Sequence, residues 1–201
     1  MDKFVRENQD VDSLSGALAL DRMEDYWNSL RQGQTVPYRS DVDPRAVHQM
    51  LRNAFILQRL APGLAKLRVS CSTLTDLQGI DMRGMPIRTI ISEESREEFR
   101  DILDQVFTAP AVARLELTTS RGFRMTGKRA SVLLMPLRSD SGAIDRVLGA
   151  ISVVGSGRKG PTRFDLTESL LRDVRVDDDG LAERLSARPV TLADRQGAIA
   201  S

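Results

Sequence analysis

Apolar residues recur at helical steps near the start of the chain and at alternating or consecutive positions further on. Leu20, Met23, Trp27 and Leu30 stand three and four residues apart, which predicts one helix with a single apolar stripe. Asp12 or Ser13 is placed to cap it, and Gly33 stops it just after Arg31. Residues 1–12 are polar and are expected to be disordered. The stretch GQTVPYRSDVDP cannot be helical through Pro37 and reads as an extended connector. Asp43 then caps an expected second helix with Pro44 at its first position. That helix carries Val47, Leu51, Ala54, Phe55 and Leu60 on its buried side and ends at Pro62-Gly63, so two helices are expected before any sheet.

From Leu64 the pattern changes: LAKLRVSCSTL alternates as a strand does, and GIDMRGMP is too rich in turn residues for a long element. Ser92 is the expected cap of an amphipathic helix, with Glu93 and Glu94 at its positive end and Phe99, Ile102, Leu103, Val106 and Phe107 on one side. Three strands follow, AVARLELTTS, FRMTGKRASVLLMPLR and IDRVLGAISVVG, and the short turns SRG and SDSGA between them imply antiparallel hairpins. Past Gly155 the chain turns polar, with one short docking helix expected around Phe164, Leu166, Leu170 and Leu171. The expected organisation is a disordered start (1–12), a helix and connector (13–43), a folded domain (44–155) and a polar tail with a short helix (156–201). The fold class is α+β, an antiparallel sheet flanked by helices.

Composition narrows the chemistry. With 41% hydrophobic and 28% charged residues among 201, the chain has the balance of a soluble globular protein. Its 29 basic and 28 acidic residues leave no global field to attract polyanions, so a charged partner would need a local patch. Cys71 and His48 are the only cysteine and histidine, which excludes an intramolecular disulfide and a Cys/His zinc site. MDKFVRENQDVDS has no apolar stretch for a signal peptide, and no window is apolar enough to cross a membrane; a reducing cytoplasm is the expected compartment.

Five constellations could carry a function. Gly155, Gly157 and Gly160 spell GxGxxG directly after an apolar run, where a dinucleotide-binding fold holds a pyrophosphate. Against that, Pro161 follows at once, the spacing of a crossover helix is missing, and the preceding strand is expected to be antiparallel. A glycine-rich exit from the last strand accounts for the motif. Cys71 and His48 could form a nucleophile and base if they met, but no spacing requires it.

Arg114, Arg121, Arg124, Lys128, Arg129 and Arg138 against the single acid Glu116 could contact phosphates, yet the pleat would scatter them over two faces, so nucleic acid is an unfavoured partner. The stripe of Leu20, Met23, Trp27 and Leu30 can pack on its own domain or form a dimer seam with a second copy. Glu93-Glu94 and Glu97-Glu98 sit at a helix start and on its wet face, which needs no acid–base role.

The element order, one strand, an irregular helical stretch, a longer helix and three antiparallel strands, resembles a PAS domain. The local text is similar to a bacterial single-domain subfamily in Tyr26-Trp27, Leu30-Arg31, Pro37, Arg39, Asp41-x-Asp43-Pro44, Leu67-Arg68-Val69, Gly79 and Gly84. The similarity runs from about Tyr26 to Gly155. It implies a sheet flanked by helices and a signalling role in which a small molecule or a protein partner is bound, with no catalytic output. The expected pocket residues are Phe55, Cys71, Phe99, Leu103, Phe107, Phe123 and Leu134. No cofactor follows from the resemblance, since residues 86–108 contain neither histidine nor cysteine. A ligand-free adaptor is the alternative expectation.

Overall fold

The runs VLLMPL and VLGAI lack the alternation of a half-wet strand because the sheet they build is covered on both faces. Its strands are β1 (Ala54–Ala61), β2 (Leu64–Val69), β3 (Ala111–Thr118), β4 (Arg129–Arg138), β5 (Ile144–Val154), β6 (Asp165–Asp173) and β7 (Arg188–Val190). Neighbours pair antiparallel throughout, in the order β2-β1-β5-β4-β3-β6-β7. The helices are α1 (Asp2–Arg31), α2 (Ser72–Gln78) and α3 (Arg96–Thr108), with 3-10 segments at Arg39–Asp41 and Ile87–Ile90. This computed structural model describes residues 2–45, 51–119, 127–155, 160–174 and 188–190, with 2–15 and 188–190 described by backbone alone.

Successive side chains of a strand point to opposite faces. On β4, Ala130, Val132 and Leu134 enter an inner core with α2, α3 and Ile87–Ile90, while Leu133, Met135 and Leu137 enter an outer core under α1. Strand β5 divides likewise, Val147 and Ile151 inward, Leu148 and Ala150 outward. Helix α3 buries Phe99, Ile102, Leu103, Val106 and Phe107, the expected stripe, and carries Glu97 and Glu98 in its first turn, where the helix dipole favours them.

Helix α1 lies close on the reverse face. A Cβ at Gly16 would come within 1.9 Å of Ser152 Oγ on β5, so a larger residue there would force the serine side chain or the helix to shift. Leu20, Met23 and Trp27 are buried beneath the helix, and the Trp27 indole N–H donates to the Pro136 carbonyl at 2.8 Å. Pro136 is tolerated in β4 because the pairing with β3 has already stopped at Leu134, so no ladder bond is asked of its missing N–H.

Five elements differ from the sequence expectation. Ala54–Ala61 is strand β1 and not the second half of a helix; Phe55 and Leu57 face inward and Ala54 and Ile56 outward, so burial on both sides erased the period of two. Asp43 Oδ1 accepts the Arg45 N–H at 2.8 Å, an Asx turn in place of a helix cap. Leu51 is exposed, and Val47 and His48 lie outside the described residues. The strand expected to run through Leu74 ends at Val69, and Cys71 is the N-cap of α2.

Helix α3 starts one turn later than expected, with Ser95 and not Ser92 at its N-cap. Phe164, Leu166, Leu170 and Leu171 belong to an extended segment that becomes β6, not to a helix, because the β3 edge offers eight partners to pair with. Helix α1 begins at Asp2, ahead of Asp12 and Ser13. The expected stop holds: Gly33 follows with a left-handed φ of 82°.

Candidate functional site

The inner core gathers most of the residues expected to line a pocket. Phe55 of β1, Cys71 at the start of α2, Phe99, Leu103 and Phe107 of α3 and Leu134 of β4 join one buried cluster, whereas Phe123 lies outside the described residues. The cluster is closely filled at its β1–β5 side. The Phe55 ring lies against Gly149, where a Cβ would sit 2.1 Å from a ring carbon.

Arg59 staples the helix to the hairpin beside it. Its guanidinium pairs with Asp104 of α3 at 2.7 Å and lies 5.4 Å from the Phe107 ring centroid, and Asp104 also accepts the Gly63 N–H. Next to β2, an open groove of about 380 Å³ is lined by Lys66, Leu67, Arg68, Asp81, Arg83 and Gly84. Its charges are solvated, and the Arg83 guanidinium holds the exposed Asp81 carboxyl below its ordinary range.

Sequence reasoning missed the side of the core that faces β3. Phe164 is fully buried in the inner cluster, and its backbone is hydrogen-bonded in both directions: its N–H to the Ile90 carbonyl and its carbonyl to the Ser92 N–H, both at 2.8 Å. Gln78 Nε2 of α2 donates to the Thr162 carbonyl at 2.6 Å, and Ser95 Oγ accepts the Leu166 N–H at 2.9 Å. Residues 162–166 thus strap all the helical elements of the inner layer. The one available signal was the alternation of Phe164 and Leu166 with polar neighbours, two positions too few to outweigh the helix-like spacing to Leu170.

Burial pushes the Cys71 thiol up from its ordinary value, against backbone hydrogen bonds at Leu74, Cys71 and Thr73 that favour the thiolate, so at neutral pH it stays protonated and a poor nucleophile. Among the described residues, no group of three or more His, Cys, Asp or Glu side chains is placed to hold a metal ion. Nor, among them, is any helix long and apolar enough to cross a membrane.

The basic residues of the hairpin are divided. Arg114 lies under α1, paired with Asp21 at 2.5 Å and Glu24 at 3.2 Å, and Arg138 donates to the Gly142 carbonyl at 3.0 Å. Lys128 reaches Thr162 Oγ1 at 3.4 Å, and Arg121 and Arg124 lie outside the described residues. The GxGxxG stretch loses its dinucleotide reading as well. Strand β5 is antiparallel to both neighbours, and past Gly160 the chain enters β6 with no helix opening toward a phosphate.

The residues expected as a dimer seam are used within the chain. Leu20, Met23 and Trp27 are buried against the sheet of their own fold, and Leu30 is half-buried at the rim. Around them the connector is pinned by the residues that carried the family resemblance. Tyr26 Oη accepts the Asp43 N–H at 2.9 Å, Asp41 accepts the Tyr38 N–H at 3.0 Å, and the Pro37 carbonyl accepts the Arg138 N–H at 2.9 Å. Gly79 ends α2 with a left-handed φ of 74°, and the Gly84 N–H closes onto the Leu67 carbonyl at 2.7 Å.

A family model described as PAS domain matches residues 17–152, from the packed half of α1 to the end of the inward-facing part of β5. The chain belongs to the PAS domain family. No curated protein matches it. A PAS domain is in general a sensory or signalling module. In this PAS domain the strap and β6 lie past the matched residues, although Phe164 completes the inner core.

Proposed function

We propose that the chain is a non-catalytic sensory module that takes a small apolar or amphipathic molecule, or a segment of a protein partner, against its inner core. The resulting repacking is passed to the flanking helices. One observation carries this reading: alternate residues of β4 and β5 belong to the two cores, inner under α3 and outer under α1. A shift that moves Leu134 on the inner face therefore moves Leu133 and Met135 on the outer face, because close-packed cores transmit displacement and do not absorb it. The lining offers Phe55, Phe99, Leu103, Phe107 and Leu134, with the Cys71 thiol as a weakly polar point.

Native mass spectrometry of the chain purified from its own cells tests the reading. A stoichiometric small molecule held by the wild type and lost on Leu103→Trp, which adds bulk where α3 faces the sheet, supports sensing. A consistently empty protein turns the reading to the adaptor that binds a partner with no ligand. The close approach of Phe55 to Gly149 favours that second reading at the β1–β5 side.

A further inference from the structure

We propose that residues 162–173 are a latch that joins the two helical layers of the molecule, so that opening the inner layer loosens α1 on the opposite face of the sheet. At one end of the segment, Phe164 is fully buried in the inner core; the Thr162 and Phe164 carbonyls accept from Gln78 Nε2 and the Ser92 N–H, and the Phe164 and Leu166 N–H groups donate to the Ile90 carbonyl and Ser95 Oγ. At the other end, Arg172 pairs with Glu24 of α1, and the same Glu24 accepts from Arg114 of β3. Both members of the Arg172–Glu24 pair are largely shielded, with side-chain exposures of 12% and 20%. No other strand holds the inner layer by its backbone and α1 by its side chain among the bonds described.

The segment is built to be released as a unit. It lies along β3, with the three-residue β7 paired to Ser169–Leu171 on its other side, and main-chain pairing does most of the holding, as in strand addition by an extended peptide. Along β6 itself only Leu166 and Ser169 are buried, whereas β4 buries seven of its ten residues. A β-bulge interrupts the β3–β6 register between Glu116 and Leu117. At the crossing with the strap, Ser92 Oγ is buried with no hydrogen-bond partner, which weakens the closed arrangement. Withdrawal of Phe164 would peel the strand from its inner end and carry the strain to Arg172, largely shielded where it pairs with Glu24 of α1.

The inference rests on the sensing reading only for what opens the latch, and its test needs no ligand. Trp27 is the single tryptophan of the chain and is fully buried under α1, so its fluorescence reports whether α1 is docked. In the full chain, Phe164→Ala is expected to speed amide exchange about tenfold or more in both β3 and the stretch Ile87–Phe99. It is also expected to raise acrylamide quenching of Trp27. Phe164→Leu gives the same pattern, smaller, should the alanine variant fail to fold.

Arg172→Met, which leaves the strap in place, is the second arm. In that background Phe164→Leu still loosens Ile87–Phe99 but no longer changes Trp27. Two results overturn the latch: Trp27 indifferent to Phe164 in the wild-type background, or Trp27 responding equally with and without Arg172. A working latch in a protein that is always empty retires the sensing reading alone, and a bound small molecule with Trp27 indifferent to Phe164 retires the latch alone.

Discussion

The indole N–H of Trp27 and the carbonyl of Pro136 meet at 2.8 Å across the contact between α1 and the sheet, in a region with no access to water. The bond takes up a carbonyl that β3 has stopped short of, and it fixes the rotation of α1 about its own axis. Trp27→Phe keeps most of the ring but strands that carbonyl, and is expected to cost about 1–3 kcal/mol. Trp27→Ala also empties the space beneath the helix and is expected to cost about 3–5 kcal/mol. Urea denaturation followed by circular dichroism measures both; equal losses for the two variants would mean that the hydrogen bond and not the ring volume holds α1.

Gly149 bears on the inner core in the opposite sense. A methyl group there would need the space of the Phe55 ring, which is itself fully buried, so Gly149→Ala is expected to destabilise by about 1–3 kcal/mol. For a chain of this size that lowers Tm by roughly 2–4 °C per kcal/mol. Adding Phe55→Leu should return part of the loss, because the smaller side chain frees the space the methyl group takes. A double variant no better than the single one would show that β5 shifts as a whole and the ring stays where it is.

Cys71 makes stability depend on alkaline pH. Burial raises its thiol above the ordinary value of 9.0, so the unfolded chain loses this proton at lower pH than the folded one. The contribution is fully present below pH 9.0 and is lost as pH rises from there through the folded value. Cys71→Ala should therefore flatten the fall in Tm between neutral pH and pH 10 relative to wild type. Iodoacetamide at pH 8 should label the native chain far more slowly than the urea-unfolded chain; equal rates would place the thiol in solvent.

Cutting the chain after Gly155 follows the glycine-rich exit but removes Phe164 and the strand paired to β3. The truncated chain is expected to lose cooperative thermal unfolding and to bind 1-anilinonaphthalene-8-sulfonate, since the inner core is opened along one side. A sharp transition at the wild-type temperature would show that the segment is dispensable for the fold.

Helix α3 and strands β3 to β5 were legible in the sequence for a definite reason. The helix has one dry face, and the SDSGA turn between β4 and β5 is short enough to dictate antiparallel pairing, whereas the SRG turn expected between β3 and β4 lies outside the described residues. Strand β1 was not, because Phe55 and Leu57 face one core and Ala54 and Ile56 the other, leaving an unbroken apolar run that fits a helix started at Asp43 equally well. Most of the candidate pocket was readable, since Phe99, Leu103 and Phe107 follow from the helix and Leu134 from the strand. Phe164 was not, because it is held by Ile90 and Ser92, with the neighbouring Thr162 held by the distant Gln78, and local periodicity carries nothing about a closure made across the chain.

The span between Trp27 and Pro136 also sets a schedule for synthesis. The apolar face of α1 leaves the ribosome first, and the strand that covers it is made 109 residues later. At the usual pace of translation this leaves Leu20, Met23 and Trp27 uncovered for roughly 5 to 20 s. During that interval the nascent chain offers chaperones, or another nascent copy, the same stripe that the finished molecule hides.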